Sequence, residues 1–256
     1  MLVLIGLGLS DEKDLSLRVI EEAKNSDKAY IELYTTAWFG DIKNLEEMIG
    51  KKIEVLKRKD LEENSERILN EAKEKNLIIF VGGDPLVATT HSALLLEARK
   101  KGIKTKVIHN SSIISAIAET GLHLYKFGPC VTIPFPEKTK GKLPESVYEV
   151  IKMNKSRGLH TLCLLDIAEE SKLMSVKEAV EILLRLEEER REDVINEKEK
   201  IVVFSKAGSE DSKIFFDTIK NLKEKEVALP AVIIIPGLLH FTEKEFLEAI
   251  SSFLPC

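Results

Sequence analysis

The apolar run Leu77-Ile78-Ile79-Phe80-Val81 breaks off directly into Gly82-Gly83-Asp84-Pro85, and this junction constrains the chain more than any other stretch. A short β-type run with such an ending predicts a strand that feeds a sharp turn. Gly82 and Gly83 permit positive φ and let a ligand approach the backbone, and Pro85 fixes the exit direction. Asp84 sets a carboxylate at the strand's C-terminal mouth, where open α/β sheets bind their ligands. An ordinary strand-to-helix turn uses the same residue types, so the junction alone leaves both readings open.

Comparable runs, Met1 to Ile5, Ala29 to Tyr34, Ile53 to Leu56 and Thr105 to His109, alternate with helical segments through the first half. The alternation predicts an α/β fold with a mostly parallel, helix-covered sheet. One helix is expected after Asp60, on the spacing of Leu61, Ile68, Leu69 and Ala72, and another from Ser92 to Lys101, stopped by Gly102. Between Gly121 and Pro136 the texture turns to glycine, proline and aromatics, and a second set of strands follows: Cys130 to Ile133, Thr161 to Leu165, Ile201 to Ser205 and Ala231 to Ile235. Two α/β domains are expected, residues 1–119 and 120–256. Ser175-Val176-Lys177-Glu178 and Thr242-Glu243-Lys244-Glu245 carry the S/T-x-x-E pattern of a helix start. The run Glu187 to Asp193 reads as a solvated face, and Glu137 to Leu143 as a mobile loop.

At 256 residues the chain exceeds a typical single core, in keeping with two modest domains. No apolar run has the length of a membrane span, and Met1-Leu2-Val3-Leu4-Ile5 reads as a buried strand and not as a secretion signal. A cytoplasmic protein is expected. The net charge of −5 is spread over interleaved acids and bases, which offers nucleic acid no basic stripe. Cys130, Cys163 and Cys256 are odd in number and scattered, so they read as reduced and structural. His91, His109, His123, His160 and His240 lack the spacing of a metal site, no metal is assigned, and each reads as a hydrogen-bonded structural histidine. Glutamine is absent and 32% of residues are charged, a balance that points to a heat-loving source.

Several segments taken in order carry a resemblance: Leu2 to Asp14, Gly83-Asp84-Pro85-Leu86-Val87-Ala88-Thr89-Thr90-His91, His109 to Ala116, Thr120 to Gly128, His160 to Ile167, Ala207-Gly208-Ser209 and Pro236-Gly237-Leu238-Leu239-His240. Together they resemble the diphthine synthases, S-adenosylmethionine-dependent methyltransferases with the tetrapyrrole-methylase type of fold. The resemblance runs from the first strand to the last and implies an archaeal member. Carried over position by position, it implies cofactor contacts at Leu9, Asp84, Val87, Ser112, Ile113, Leu165, Ala207 and His240. Contributions from both halves imply a cleft between the two domains. It further implies a homodimer, and methylation of the amine of a 3-amino-3-carboxypropyl group carried by one histidine of translation elongation factor 2, with three methyls in archaeal members. S-adenosylhomocysteine would be the product.

The residues themselves are compatible with that donor. Gly6-Leu7-Gly8 after a strand invites a dinucleotide reading with Glu32 as ribose acceptor, but the third glycine is replaced by Asp11 in the run Asp11-Glu12-Lys13-Asp14. Carboxylates there would repel a pyrophosphate, which needs unopposed amide donors. The P-loop pattern is also absent. S-adenosylmethionine carries a sulfonium, an ammonium and no phosphate. Leu9, Val87, Ile113, Leu165 and Ala207 can line an apolar slot, while Asp84 and Ser112 hold polar edges. Tyr34, Thr35, Thr36 and Trp38 form either a substrate-touching or a packed aromatic loop. No residue announces itself as general base, and the catalytic assignment stays empty. Two alternatives remain: a related methylase of a corrinoid or porphyrin precursor, against which Ala88-Thr89-Thr90-His91 and Leu122-His123-Leu124-Tyr125 argue, and a non-enzymatic binding module.

Overall fold

The computed structural model of the chain describes residues 1–168 and 172–253; Cys256 lies outside them. The chain divides into two compact units, residues 1–114 and 115–256. Among the described residues no helix is long and apolar enough to cross a membrane.

The first unit is built on β1 (Leu2–Gly6), β2 (Lys28–Glu32), β3 (Ile53–Leu56), β4 (Leu77–Val81) and β5 (Thr105–Ile108), in the order β3-β2-β4-β1-β5. Every pairing is parallel. Strands β1 and β4 are buried along their whole length, as parallel strands covered on both faces must be. Alternate residues serve separate cores: Leu2, Leu4, Tyr30, Leu77 and Ile79 pack into one, Val3, Ile5, Ala29, Ile31, Ile78 and Phe80 into the other. The helices that close these faces are α1 (Leu17–Lys24), α2 (Ile42–Ile49), α3 (Arg58–Glu62), α4 (Glu66–Glu74) and α5 (His91–Lys100).

The helix expected after Asp60 is two helices. The amides of Glu63 and Asn64 both donate to the Lys59 carbonyl and close α3 after one turn, while Asp60, inside it, accepts from the Lys57 amide at 2.8 Å. Strand β2 also stops short of the expected Tyr34, because the Glu32 carboxylate takes the amides of Tyr34 and Thr35 at 3.1 and 3.2 Å. Helix α5 ends as expected, with Gly102 at φ +73° just beyond it.

A short helix, α6 (Ile113–Ala116), lies in sequence where the two units meet. The second unit carries β6 (Val131–Ile133), α7 (Glu145–Ser156), β7 (Thr161–Leu165), α8 (Val176–Arg190), β8 (Lys200–Ser205), β9 (Lys213–Thr218), α9 (Ile219–Glu224), β10 (Ala231–Ile235) and α10 (Phe241–Phe253). Its sheet runs β6-β7-β10-β8-β9. Only β6 and β7 pair in parallel; the other three pairings are antiparallel. Residues Cys163, Ile201, Val203, Ile233 and Ile235 share a core with α7, α8 and α9. Strand β9 was missed in the sequence because Lys213 and Asp217 mask the β-type core Ile214-Phe215-Phe216.

Helix α8 starts at Ser175 with both bonds of the expected capping box. Helix α10 does not start at Thr242. Glu243 reaches back to the amide of His240 at 2.7 Å, and Lys244 donates to the His240 carbonyl at 3.0 Å, so the cap sits two residues earlier. The acidic run is only partly a solvated face, since Glu187 accepts from the Tyr148 hydroxyl and from the amides of Asp193, Val194 and Ile195. The 137–143 stretch, expected as a mobile loop, contains a 3-10 turn pinned by Lys138 to Asp166 at 2.7 Å and to the Ile167 carbonyl at 2.8 Å.

Candidate functional site

In the first unit β1 and β4 are neighbours whose onward connections run to opposite sides, β2 lying beyond β4 and β5 beyond β1. The crevice opened by such a reversal, outside the strands' C-terminal ends, is where open α/β sheets bind ligands. Both glycine turns meet there. Gly8 and Gly83 exchange backbone bonds, the Gly83 amide donating to Gly8 at 2.8 Å and the Gly8 amide to Gly83 at 3.2 Å. Each has positive φ, +84° and +65°, which a side chain would strain. A Cβ on Gly6 would lie 2.5 Å from the Gly83 carbonyl oxygen.

Asp84 is 6% exposed and locks this end of the sheet. Its Oδ1 accepts from the Leu86 amide at 3.0 Å; its Oδ2 accepts from the Asn110 amide at 3.3 Å and pairs with His109 Nδ1 at 2.8 Å. The side-chain amide of Asn110 donates to the carbonyls of Gly6 and Asp14, both at 3.1 Å, which ties the third turn to the first. Leu9, Asp84, Val87 and Ser112 thus sit in the connections at one end of one sheet, and Ile113 opens the short helix that follows the last of them. Ser112 is buried; Leu9, Val87 and Ile113 are half-buried.

The donors at this end of the sheet discriminate between a phosphate-bearing and a phosphate-free ligand. Asp14 Oδ2 already accepts from the amides of Leu9 and Ser10 at 2.9 and 2.8 Å. The amides that a pyrophosphate would need are occupied, and a carboxylate stands in its place. A cationic ligand without phosphate fits. Glu32 is equally unavailable as a ribose acceptor: it is 0% exposed, and burial raises its pKa against the lowering effect of bonds from Thr35 and Tyr34.

Beside Glu32 stands His91, 2% exposed, with Nε2 3.5 Å from Glu32 Oε1. The expectation of a hydrogen-bonded histidine fails here, since neither ring nitrogen has a hydrogen-bond partner. Burial depresses its pKa to about 4 and keeps the ring neutral at pH 7. The Tyr34 hydroxyl and Trp38 Nε1 are likewise buried without partners.

In the second unit Leu165 ends β7 and Ala207 follows β8, between Lys206 and Gly208, which both have positive φ. The register pairs Leu164 with Val232 and Ser205 with Ala231, so Leu165 and Ala207 lie at the same end of their sheet as the start of β10. His240 does not. It follows the far end of β10, where Gly237 donates to His160 Nδ1 at 2.9 Å and Leu238 to the Gly158 carbonyl at 3.2 Å. The structure groups Leu165 and Ala207 with Ala231 and Val232, and separates His240 from them. The sequence offered no sign of this pair, because pairing register is not written in an isolated apolar strand.

His240 belongs to a different cluster. Glu243, 0% exposed, accepts from the amides of His123 and His240 at 2.9 and 2.7 Å, from His160 Nε2 at 3.0 Å and from the Lys126 ammonium. Burial opposes ionisation here, but the Lys126 ammonium and the N–H donors outweigh it and hold the carboxyl at about 2. With Nδ1 accepting from Gly237, His160 carries its proton on Nε2, and burial lowers its pKa. Cys163 is buried, which pushes its thiol up, and Cys130 is exposed; both are free.

The fold and the phosphate-refusing turn define a class, and comparison with known proteins agrees. The sequence profile of the tetrapyrrole (corrin/porphyrin) methylases matches residues 1–223. Diphthine synthase of Methanocaldococcus jannaschii is 47% identical over 253 residues, 97% of this chain and 98% of the relative. That of Methanococcus aeolicus is 45% identical over 251 residues, 97% of each. A crystal structure of a diphthine synthase superposes with a TM-score of 0.88 at 37% identity, over 98% of this chain and 96% of the other. The chain belongs to the tetrapyrrole methylase family. Within it the chain is one of the diphthine synthases, an S-adenosylmethionine-dependent methyltransferase of diphthamide biosynthesis.

Proposed function

We propose that the chain transfers methyl groups from S-adenosylmethionine to the amine of the 3-amino-3-carboxypropyl-modified histidine of translation elongation factor 2, carrying it to the trimethylammonium product diphthine. The observation that carries the donor half of this reading is Asp14, which fills the amides of Leu9 and Ser10 just after Gly6-Leu7-Gly8 and leaves a site suited to a cation. Leu9, Asp84, Val87, Ser112 and Ile113 are the proposed contacts in the first unit. Leu165 and Ala207, with the start of β10, are proposed for the second. His240 is proposed only on the family resemblance.

The donor supplies an electrophilic methyl and leaves as S-adenosylhomocysteine; no metal takes part. A carboxylate against the sulfonium would stabilise the ground state more than the charge-dispersed transition state. Asp84, whose Oδ1 accepts a single bond from the chain, is therefore assigned to ribose hydroxyls or the amino group. The chain's task is alignment and exclusion of water. The acceptor amine must be neutral to attack, and solvent removes its proton. With an ordinary α-amino pKa of about 8, the rate should rise through mildly alkaline pH. The third methyl leaves a fixed charge on nitrogen that cannot attack again.

The test incubates the chain with S-adenosylmethionine and elongation factor 2 bearing the aminocarboxypropyl group, then weighs the histidine peptide by mass spectrometry, with macrocycle precursors and unmodified factor in parallel. A trimethyl product on the modified factor alone is expected. Methylation of a macrocycle instead, or equal methylation of unmodified factor, would overturn the reading. Asp84→Ala should weaken S-adenosylhomocysteine binding by about 1–3 kcal/mol. We further propose a cytoplasmic homodimer, in line with the prevalence of two-fold oligomers; light scattering that returned one chain mass at all concentrations would refute the dimer.

A further inference from the structure

We infer that Glu32 is a positioning residue for the donor site, acting through Thr35 and Thr36 on the glycine turn at Gly82. Strand β2 pairs with β4 so that Glu32 lies opposite Val81, the residue before that turn. The chain beyond Glu32 does not continue along the sheet. It folds back over the carboxylate, which accepts from the amides of Tyr34 and Thr35 with Oε2 and from the Thr35 hydroxyl with Oε1. This brings the Thr36 side chain onto Gly82 so closely that a Cβ there would lie 1.8 Å from Thr36 Cγ2. The one face of Gly82 that a side chain would fill is thus filled by Thr36, and Thr36 is held in place by the loop that Glu32 binds.

The same carboxylate faces the first residue of the helix that follows the turn. His91 Nε2 is 3.5 Å from Oε1, and the His91 amide donates to Thr89, whose hydroxyl donates to the Pro85 carbonyl at 2.7 Å. Glu32 therefore stands between the loop that covers the glycine turn and the helix into which the turn leads. In dinucleotide-binding sheets an acid at the end of the second strand reaches outward to a ribose. In this chain it turns inward, and its effect on the ligand is mechanical: it fixes the backbone of residues 82–84, from which Asp84 projects. A backbone left free to shift there would hold the groups that bind the ligand less firmly, so a residue that never touches the ligand can govern its affinity.

The inference rests on the reading that S-adenosylmethionine binds at this turn. It is tested by calorimetry with S-adenosylhomocysteine on Glu32→Ala, Glu32→Gln, Thr36→Ser and Asp84→Ala, with melting temperature recorded for each and steady-state rates with the modified factor. Glu32→Gln keeps a carbonyl for the two amides and offers an NH₂ to the Thr35 hydroxyl and the unpartnered His91 Nε2, so its affinity should stay within about threefold of the unaltered chain. Glu32→Ala should lose about tenfold or more, with the loss in KM for S-adenosylmethionine and little change in kcat, as expected when a misplaced backbone weakens ground-state and transition-state binding alike. Thr36→Ser removes only the methyl that rests on Gly82 and should fall between them, which decides the matter if Glu32→Ala does not fold. Unchanged affinity in a folded Glu32→Ala, or in Thr36→Ser when Glu32→Ala is unfolded, overturns the inference. If Asp84→Ala weakens binding at the same time, the donor site itself stands; if it too has no effect, both fall.

Discussion

Two glutamates of this chain, Glu32 in the first unit and Glu243 in the second, are fully buried, and their surroundings answer that burial differently. Glu243 has the Lys126 ammonium against it and three N–H donors, and it is held as an anion at about 2. Glu32 has no cation in contact, only two amides and a hydroxyl that could as well be held by a neutral group, and burial raises its pKa. Its titratable neighbour His91 is itself neutral. An anion fixed by a cation is a structural clamp. A carboxyl without one is a hydrogen-bonding template whose charge contributes little.

The largest effect should therefore appear when both are replaced by glutamine. Glu243→Gln turns an NH₂ toward donors on whichever side it faces and breaks a buried ion pair, so denaturant unfolding should reveal a loss of about 3–5 kcal/mol. Glu32→Gln should change stability by less than about 1 kcal/mol. Equal losses would dissolve the contrast.

Acid should separate the two regions next. His91 has a folded pKa near 4 against about 6.5 in an unfolded chain. Above pH 6.5 neither state is protonated and nothing is lost; between 6.5 and 4 the unfolded chain takes up a proton that the fold refuses, and stability falls by about 3 kcal/mol. His91→Phe should remove that share of the decline and leave the part owed to His160, whose pKa burial also lowers. Glu243, whose folded value of about 2 lies below its unfolded one, stabilises fully above about pH 4.5 and loses its contribution as pH falls toward 2. Unfolding free energies at pH 7, 5 and 3.5 distinguish the windows, and a decline of the His91→Phe variant equal to that of the parent between 6.5 and 4 would reject the assignment.

A smaller effect should sharpen the first region. Gly82→Ala places a methyl on Thr36 and should cost about 1–3 kcal/mol by overpacking. Thr36→Ser in the same chain removes the clashing methyl and should restore most of it; a double variant no better than the single one would mean that the Gly82 backbone itself, not the Thr36 methyl, sets the penalty.

Much of the fold was legible because burial on both faces leaves an unbroken apolar run. Strands β1, β3, β4, β7, β8 and β10 lie within a residue of their expected bounds, and Ser175 and Gly102 mark their helices by chemistry that acts over three or four residues. The elements misread are those decided at longer range. Strand β2 stops early because a buried carboxylate captures the next two amides. Helix α10 starts just after His240 because Glu243, which looked like the second residue of a capping box opened by Thr242, is the fourth residue counted from His240 and accepts from that residue's amide. Strand β9 hid behind its charged ends.

The donor site divides along the same line. Gly6-Leu7-Gly8, Gly82-Gly83-Asp84 and the acid run after the first strand could be read as a turn unfit for phosphate, since glycine conformation and charge repulsion are local properties. That Asp14 already holds two of the turn's amides, that Glu32 faces inward and that His91 lacks a partner depended on which strands lie side by side. The sequence by itself determined most of the strands and the residue types at the turns. Only the tertiary structure decided that His240 stands at the far end of its sheet from Leu165 and Ala207, because β10 runs antiparallel to both β7 and β8, so its start lies beside their ends and its end beside their starts.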